Sequence, residues 1–167
     1  MAGCMFGDER GFTNLQPWFP AVAGQYRNVQ QVAGVNAMML IPQKLDGFDV
    51  EDAVARMLDR PELWWQAVGF FVHHFSDWKD NWQNAIGNDV AERRQVHSIR
   101  SAAANVGAKT LADQAERMEQ VLLRRLDGSD VDVPVFWRDE LAAAFDIAWG
   151  CAARAWQDAG SDLPEIS

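Results

Sequence analysis

One histidine in this chain lies among arginines and small residues that share a helical spacing. At about 3.6 residues per turn, one face of the segment 89–111 carries Arg93, Arg94, His97, Arg100, Ser101, Ala104 and Ala108. The small side chains leave room for another molecule to approach the imidazole. The arginines place positive charge beside it, in a chain whose net charge is −9. An imidazole can act as a nucleophile toward phosphorus, and arginine pairs well with phosphoryl oxygens. The pattern therefore favours a histidine whose imidazole is approached and bound by an anionic group.

The run that begins at this histidine resembles a known signature. It reads HSIRSAAANVGA from His97 to Ala108, and it resembles the signature of the histidine-containing phosphotransfer (HPt) domain. Two positions depart from the family pattern, because Arg100 stands where lysine is usual and Ser101 stands where glycine is usual. The resemblance extends from about Leu45 to about Leu126.

The resemblance implies a phosphocarrier of a two-component phosphorelay. His97 would accept a phosphoryl group from the phosphoaspartate of a receiver domain and pass it to the aspartate of another receiver. Arg100 would stabilise the phosphoryl group. The partners would be receiver domains of response regulators or of a hybrid histidine kinase, and the receiver would bring the Mg²⁺, so that this chain needs no cofactor or metal site. We predict that the residues that bind the partner are Arg93, Arg94, Ser101, Ala104 and Ala108.

Two rival functions follow from other features. Since Ser101 replaces a glycine, the protein could be an HPt-like module that binds and sequesters a receiver without phosphotransfer. His73 and Asp77 are four residues apart, a spacing that two metal ligands of a hydrolase could use. No further ligand recurs nearby at the same helical phase, and we predict that His73 and His74 are ordinary core or surface residues. No nucleotide-binding motif of the GxxxxGK[ST] type occurs, so the protein should not phosphorylate itself from ATP.

Composition narrows the class of protein. The 167 residues are 49% hydrophobic and 23% charged, which is typical of one globular domain. Eight tryptophans indicate tightly packed helix interfaces. The acidic charge argues against nucleic acid as the main partner, since phosphate binding needs a basic surface. Cys4 and Cys151 form no CxxC pair, which favours a reducing compartment. Without an apolar run of about 18 residues or a signal sequence, we expect a cytoplasmic protein that does not enter the membrane.

The order of helix signals predicts an all-α protein. Asp49 should cap a short helix that ends near Leu58, and Asp132 should cap a last helix that Pro134 opens and Gly160 ends. Between them we predict helices over 61–86, over 89–107 with Val96, Ile99, Ala103 and Val106 facing the core, and over 108–126. Long amphipathic helices with short loops favour an up-and-down antiparallel four-helix bundle, and the resemblance implies the same fold. We assign the bundle to residues 45–160, an N-terminal extension or linker with additional helical segments to residues 1–44, and a C-terminal tail to residues 161–167.

Overall fold

The computed structural model describes residues 41–160, and the regular secondary structure of this range is helical. Its one β-type pairing is an isolated bridge between Leu45 and Phe48. The helices are α1 (Val50–Arg56), α2 (Pro61–His74), α3 (Trp78–Ala85), α4 (Asp89–Val106), α5 (Lys109–Leu126) and α6 (Val135–Asp158). The predicted all-α class is therefore confirmed over this range. The predicted N-terminal helical segment and the C-terminal tail lie outside the described residues.

The predicted cap at Asp49 is present, and Asn88 forms a second cap of the same kind. The carboxylate of Asp49 accepts a hydrogen bond from the backbone N–H of Asp52, at 3.2 Å, and so begins α1. The side chain of Asn88 accepts one from the N–H of Ala91, at 3.1 Å, and begins α4. Each cap satisfies a backbone donor that has no partner inside its helix.

Gly107 ends α4 because it does two things that a larger residue could not. Its φ is +87°, in the left-handed region that strongly favours glycine. A Cβ at this position would also lie 2.6 Å from the carbonyl oxygen of Asp49. The N–H of Asp49 donates to the carbonyl of Gly107 at 2.8 Å, so the turn after α4 holds the start of α1.

The predicted single helix over 61–86 is wrong, because a turn at residues 75–77 divides it into α2 and α3. The hydroxyl of Ser76 donates to the carbonyl of His73 at 3.3 Å, and a side chain that bonds to its own backbone competes with helix continuation. The N–H of Trp78 then bonds to the carbonyl of Phe75, three residues back instead of four. The buried residues keep their three- and four-residue spacing across the turn, which is why periodicity predicts one helix. They are Phe71, Phe75, Trp78 and Trp82.

The start of the last helix also differs from the prediction. Pro134 is the N-cap of α6 and Val135 is its first residue, so Asp132 lies too far back to reach the free N–H groups of the first turn. The carboxylate of Asp132 instead lies 4.0 Å from Nη1 of Arg125. Gly160, with a φ of +62°, follows the end of the helix as predicted.

Helix α4 is packed on several sides. It contacts α1, α2, α3 and α5, while α6 contacts α2 and α5. The predicted inward stripe is confirmed, since its four residues are at most 1% exposed; they are Val96, Ile99, Ala103 and Val106. Burial of this stripe turns the opposite side of α4, which carries His97, away from the core.

Tryptophans fill the interfaces and anchor them with hydrogen bonds. Four tryptophans of α2 and α3 are between 0% and 3% exposed, which agrees with the predicted tight packing; they are Trp64, Trp65, Trp78 and Trp82. The indole N–H of Trp64 donates to the carbonyl of Val106, and that of Trp78 donates to the carbonyl of Gln95, each at 2.9 Å. The indoles thus bind α2 and α3 to the helix that carries His97. None of the helices within residues 41–160 has the length and apolar character needed to cross a membrane.

Gly69 provides a test of how tightly α2 and α6 pack. A Cβ at this position would lie 2.6 Å from Cζ2 of the buried Trp156 ring. Replacing a helical glycine by alanine normally stabilises a helix by about 0.5–1 kcal/mol. Here the ring has to move, and we expect Gly69→Ala to lower the free energy of unfolding by about 2 kcal/mol, as measured by denaturant titration.

The matched control for this substitution is Gly150→Ala in α6. A Cβ there would meet only Nη1 of Arg154, at 3.6 Å, which is ordinary contact with a flexible side chain. We expect this variant to be at least as stable as the wild type. Equal gains in stability at both glycines would contradict the packing of Trp156 against Gly69.

Candidate functional site

His97 lies near the middle of α4, with its imidazole held from one side. Its side chain is 45% exposed, and Nδ1 lies 2.8 Å from Oε1 of Glu119 on α5. An ionised carboxylate only accepts hydrogen bonds, so Nδ1 is the nitrogen that donates. In the neutral imidazole, this contact assigns the proton to Nδ1 and leaves the lone pair on Nε2. Among the described residues Nε2 has no partner, which leaves it available to another molecule.

Glu119 is the centre of the charges around His97. Its side chain is only 3% exposed, and Oε2 lies 3.1 Å from Nε of Arg100. Nε of Arg93 lies 3.7 Å from Oε1. Nε of Arg93 and Oε2 of Glu119 are buried without a well-directed hydrogen bond, so both arginines are held mainly by charge. Two guanidiniums against one carboxylate leave net positive charge beside the imidazole, and this charge suits an anionic group at Nε2.

Glu119 is not among the predicted site residues, although the sequence contains a signal for it. Helix α5 buries Ala115, Met118 and Leu122 as its amphipathic pattern predicts. Glu119 follows Ala115 by four residues and precedes Leu122 by three, so it lies within the apolar stripe. A carboxylate at such a position needs a partner, because burying an unpaired charge is costly. A search for charged residues inside apolar stripes would have found it.

The other predicted site residues are placed on the same side of α4, with one exception. Arg94 is exposed and has no ion-pair partner among the described residues, and Ser101 and Ala104 are partly exposed. Ala108 is only 1% exposed, so the prediction that it lies on this surface is wrong. The physical reason is that α4 ends before it, and the left-handed turn at Gly107 directs Ala108 into the core.

Two residues outside the predicted set extend the exposed surface of α4. Val90 precedes His97 by seven residues, which returns to the same side of a helix, and it is 55% exposed. At the other end, Nη2 of Arg56 donates to the carbonyl of Ala104 at 2.9 Å and also pairs with Asp52 at 3.0 Å. An apolar residue and a further cation therefore lie on either side of His97. We call this surface, from Val90 to Ala104 with Arg56 beside it, the His97 face.

The other histidines make ring contacts. Both are exposed, so that of the two predicted alternatives, core or surface, they are surface residues. His74 stacks on Phe70 with ring centroids 4.7 Å apart, and the His73 ring meets Trp156 edge-on at 6.2 Å. Within residues 41–160, no three side chains of the types that bind metals come together in a possible site. This part of the chain gives the rival metal-dependent hydrolase no support.

Comparison with known families identifies the region around His97. Residues 79–147 match the family model described as the Hpt domain, a stretch that runs from the start of α3 into α6 and includes His97, Arg100 and Glu119. This region of the chain is therefore similar to the Hpt domain family. Hpt domains take part in phosphotransfer in two-component phosphorelays and interact with receiver domains. No match was found among curated proteins or among solved structures.

Proposed function

We propose that the protein is a phosphocarrier that receives a phosphoryl group on His97 and passes it on. Nε2 attacks the phosphorus of a receiver's phosphoaspartate. The P–N bond forms as the P–O bond to the aspartate breaks, and the aspartate leaves as a carboxylate. The reverse step at a second receiver regenerates the free histidine. The observation that carries this proposal is the 2.8 Å contact between buried Glu119 and Nδ1, which leaves Nε2 of a half-exposed imidazole without a partner.

Glu119 and Arg100 stabilise two different charges in this step. When Nε2 shares its lone pair with phosphorus, the imidazole ring becomes positively charged, and the carboxylate at Nδ1 stabilises that charge. The negative oxygens of the phosphoryl group gain from a nearby guanidinium, and Arg100 is one helical turn from His97. The receiver supplies the Mg²⁺ and its own charged groups, so that this chain contributes mainly position and counter-charge.

We further propose that α2, α4, α5 and α6 form an up-and-down four-helix bundle that presents the His97 face. The contacts of α4 with α2 and α5, and of α6 with α2 and α5, close a ring of four helices. Only Gly107 and Ala108 separate α4 from α5, a connection that favours antiparallel neighbours. The receiver would dock on the His97 face and on the adjoining part of α2 and α3.

The direct test is transfer of radiolabelled phosphate from a Mg²⁺-loaded, phosphorylated receiver to this protein. We expect the label to be acid-labile and alkali-stable, as a phosphoramidate is. Trypsin cleavage after Arg94 and Arg100 should place it on residues 95–100, in which His97 is the only histidine. Receiver binding without any label would favour the sequestering module instead. If the protein neither takes up label nor binds a receiver, both functions are contradicted.

Val90 tests where the receiver docks. If the receiver covers this residue, Val90→Glu both loses apolar burial and leaves a charge in the interface. Burying a valine contributes about 1.5 kcal/mol, so we expect receiver binding to weaken by about tenfold or more, as measured by isothermal titration calorimetry.

Ile147→Glu is the matched control for Val90→Glu. Ile147 is 69% exposed but lies on α6, which carries none of the residues of the His97 face. We expect this variant to bind the receiver as the wild type does. Equal weakening by the two substitutions would contradict docking on the His97 face.

A further inference from the structure

We propose that Ser101 binds the phosphoryl group on His97 from the side of the imidazole that faces away from Glu119. The Ser101 hydroxyl donates a hydrogen bond to a phosphoryl oxygen, and this bond favours the phosphorylated form of the protein in the equilibrium of transfer with the receiver. The inference rests on the proposed function, because it concerns the phosphorylated state of the same histidine.

The contact with Glu119 fixes the direction in which a group on His97 extends. Nδ1 of the imidazole lies 2.8 Å from Oε1 of Glu119, which is on α5 and only 3% exposed. Nδ1 and Nε2 are distinct positions of one flat ring, and their bonds to other groups point to different sides of it. With Nδ1 directed at α5, a phosphorus atom bonded to Nε2 lies on the side of the ring away from α5.

The residues one helical turn before and after the histidine lie on its two sides. Arg93 and Arg100 are on the α5 side, since their Nε atoms are 3.7 Å and 3.1 Å from the carboxylate of Glu119. Arg94 and Ser101 are each one residue further along α4. That step rotates them by about 100° around the helix axis, to the other side of the imidazole. A phosphoryl group on Nε2 therefore extends toward Arg94 and Ser101.

The hydroxyl of Ser101 is available for this contact. A serine within a helix can bond to the carbonyl four residues back, which here is that of His97. No such bond is present, and among residues 41–160 the side chain of Ser101 has no hydrogen-bond partner. The residue is partly exposed, so another group can reach its hydroxyl, which has one proton to donate.

Serine at this position adds a donor that glycine cannot supply. Glycine is usual where Ser101 stands, so the contact is a property of this chain and not of the HPt signature. A hydrogen bond with one charged partner is stronger than one between neutral groups, and a phosphoryl group carries negative charge. Arg94 is exposed on the same side and has no ion pair among the described residues, so its charge adds to the attraction.

A contact with the phosphoryl group has a different consequence from a contact with the receiver. Ser101 can donate to a phosphoryl oxygen only while His97 is phosphorylated, so loss of the hydroxyl lowers the equilibrium constant for transfer to this protein. A hydroxyl that contacted only the receiver would change the affinity for the receiver. The equilibrium constant between the separated proteins would then stay the same.

The experiment measures this equilibrium constant for Ser101→Ala and the wild type, with the isolated phosphorylated receiver as donor. The loss of one hydrogen bond to a charged group supports an expected decrease of about tenfold. Ser101→Thr keeps a hydroxyl and should recover most of the wild-type value. The affinity of Ser101→Ala for the unphosphorylated receiver, measured by isothermal titration calorimetry, should stay within about twofold of the wild type.

Ser98→Ala is the matched control. Ser98 is also a partly exposed serine of α4 without a hydrogen-bond partner among the described residues. It directly follows His97, and adjacent residues of a helix do not face each other, whereas residues four apart do. The equilibrium constant of this variant should stay within about twofold of the wild type. Thermal unfolding of each variant shows whether it is folded.

The outcomes separate the Ser101 contact from the carrier function. An equilibrium constant that is unchanged or higher in Ser101→Ala would overturn the contact while the wild type still takes label. An equal decrease in Ser98→Ala would also overturn it, as would a change confined to the affinity for the receiver. A wild type that takes no label from any receiver would overturn the carrier function, and the contact with it.

Discussion

His97→Gln is expected to take up no phosphoryl group from a phosphorylated receiver. A glutamine amide has no nucleophilic lone pair on nitrogen, so the P–N bond cannot form. The variant should still fold, because His97 is half exposed and the glutamine N–H₂ group can donate to Glu119 in place of Nδ1. Acid-labile label would be measured after incubation with the receiver, alongside receiver binding.

The chain provides two matched controls for this substitution. His73→Gln and His74→Gln replace the other two histidines, whose described contacts are with aromatic rings. Both variants should take up label as the wild type does. Label on His97→Gln at the wild-type level would show that phosphotransfer uses another residue, and loss of label in all three variants would indicate a general effect on folding.

Arg138→Met is expected to cause the largest loss of stability, about 3–5 kcal/mol in the free energy of unfolding. Glu92 on α4 is 0% exposed, and both of its carboxylate oxygens accept hydrogen bonds from Arg138 on α6, each at 2.9 Å. Removing the guanidinium would leave a buried carboxylate without a counter-charge. Denaturant titration monitored by tryptophan fluorescence would measure the loss.

Two further variants distinguish loss of the ion pair from loss of a long side chain. Arg154 is exposed on the same helix and makes no ion pair among the described residues, so Arg154→Met should change stability by less than about 0.5 kcal/mol. The double variant Glu92→Met/Arg138→Met removes both charges and should recover much of the stability. A loss in Arg138→Met no larger than that in Arg154→Met would contradict the role of the pair.

The guanidinium of Arg138 should not make stability depend on pH in the usual working range. The hydrogen bonds from Arg138 to Glu92 raise the pKa of Arg138 above its ordinary value, against the opposing effect of burial. A group whose pKa is raised by folding stabilises the protein at pH values below its pKa in the unfolded state. This stability is lost only as the pH rises through its pKa in the folded state. For arginine both lie at strongly alkaline pH.

The sequence by itself determined the features that depend on neighbours along the chain. The caps at Asp49 and Asn88 act on N–H groups three residues away, and the apolar stripe of α4 is set by helical spacing. The run from His97 to Ala108 was sufficient to indicate the family, and the match over residues 79–147 agrees with it. The turn that ends α4 was predicted because a glycine at its position is a local signal.

Only the tertiary structure decided how distant side chains meet. Glu119 reaches His97 from 22 residues away, and Arg138 reaches Glu92 from 46 residues away. Spacing along one helix contains no information about which residue of another helix lies opposite. The turn at residues 75–77 was missed for a related reason, since the buried positions on both sides of it continue one helical pattern. The sequence thus indicated the candidate nucleophile, and the packing of α5 against α4 placed the buried carboxylate of Glu119 beside it.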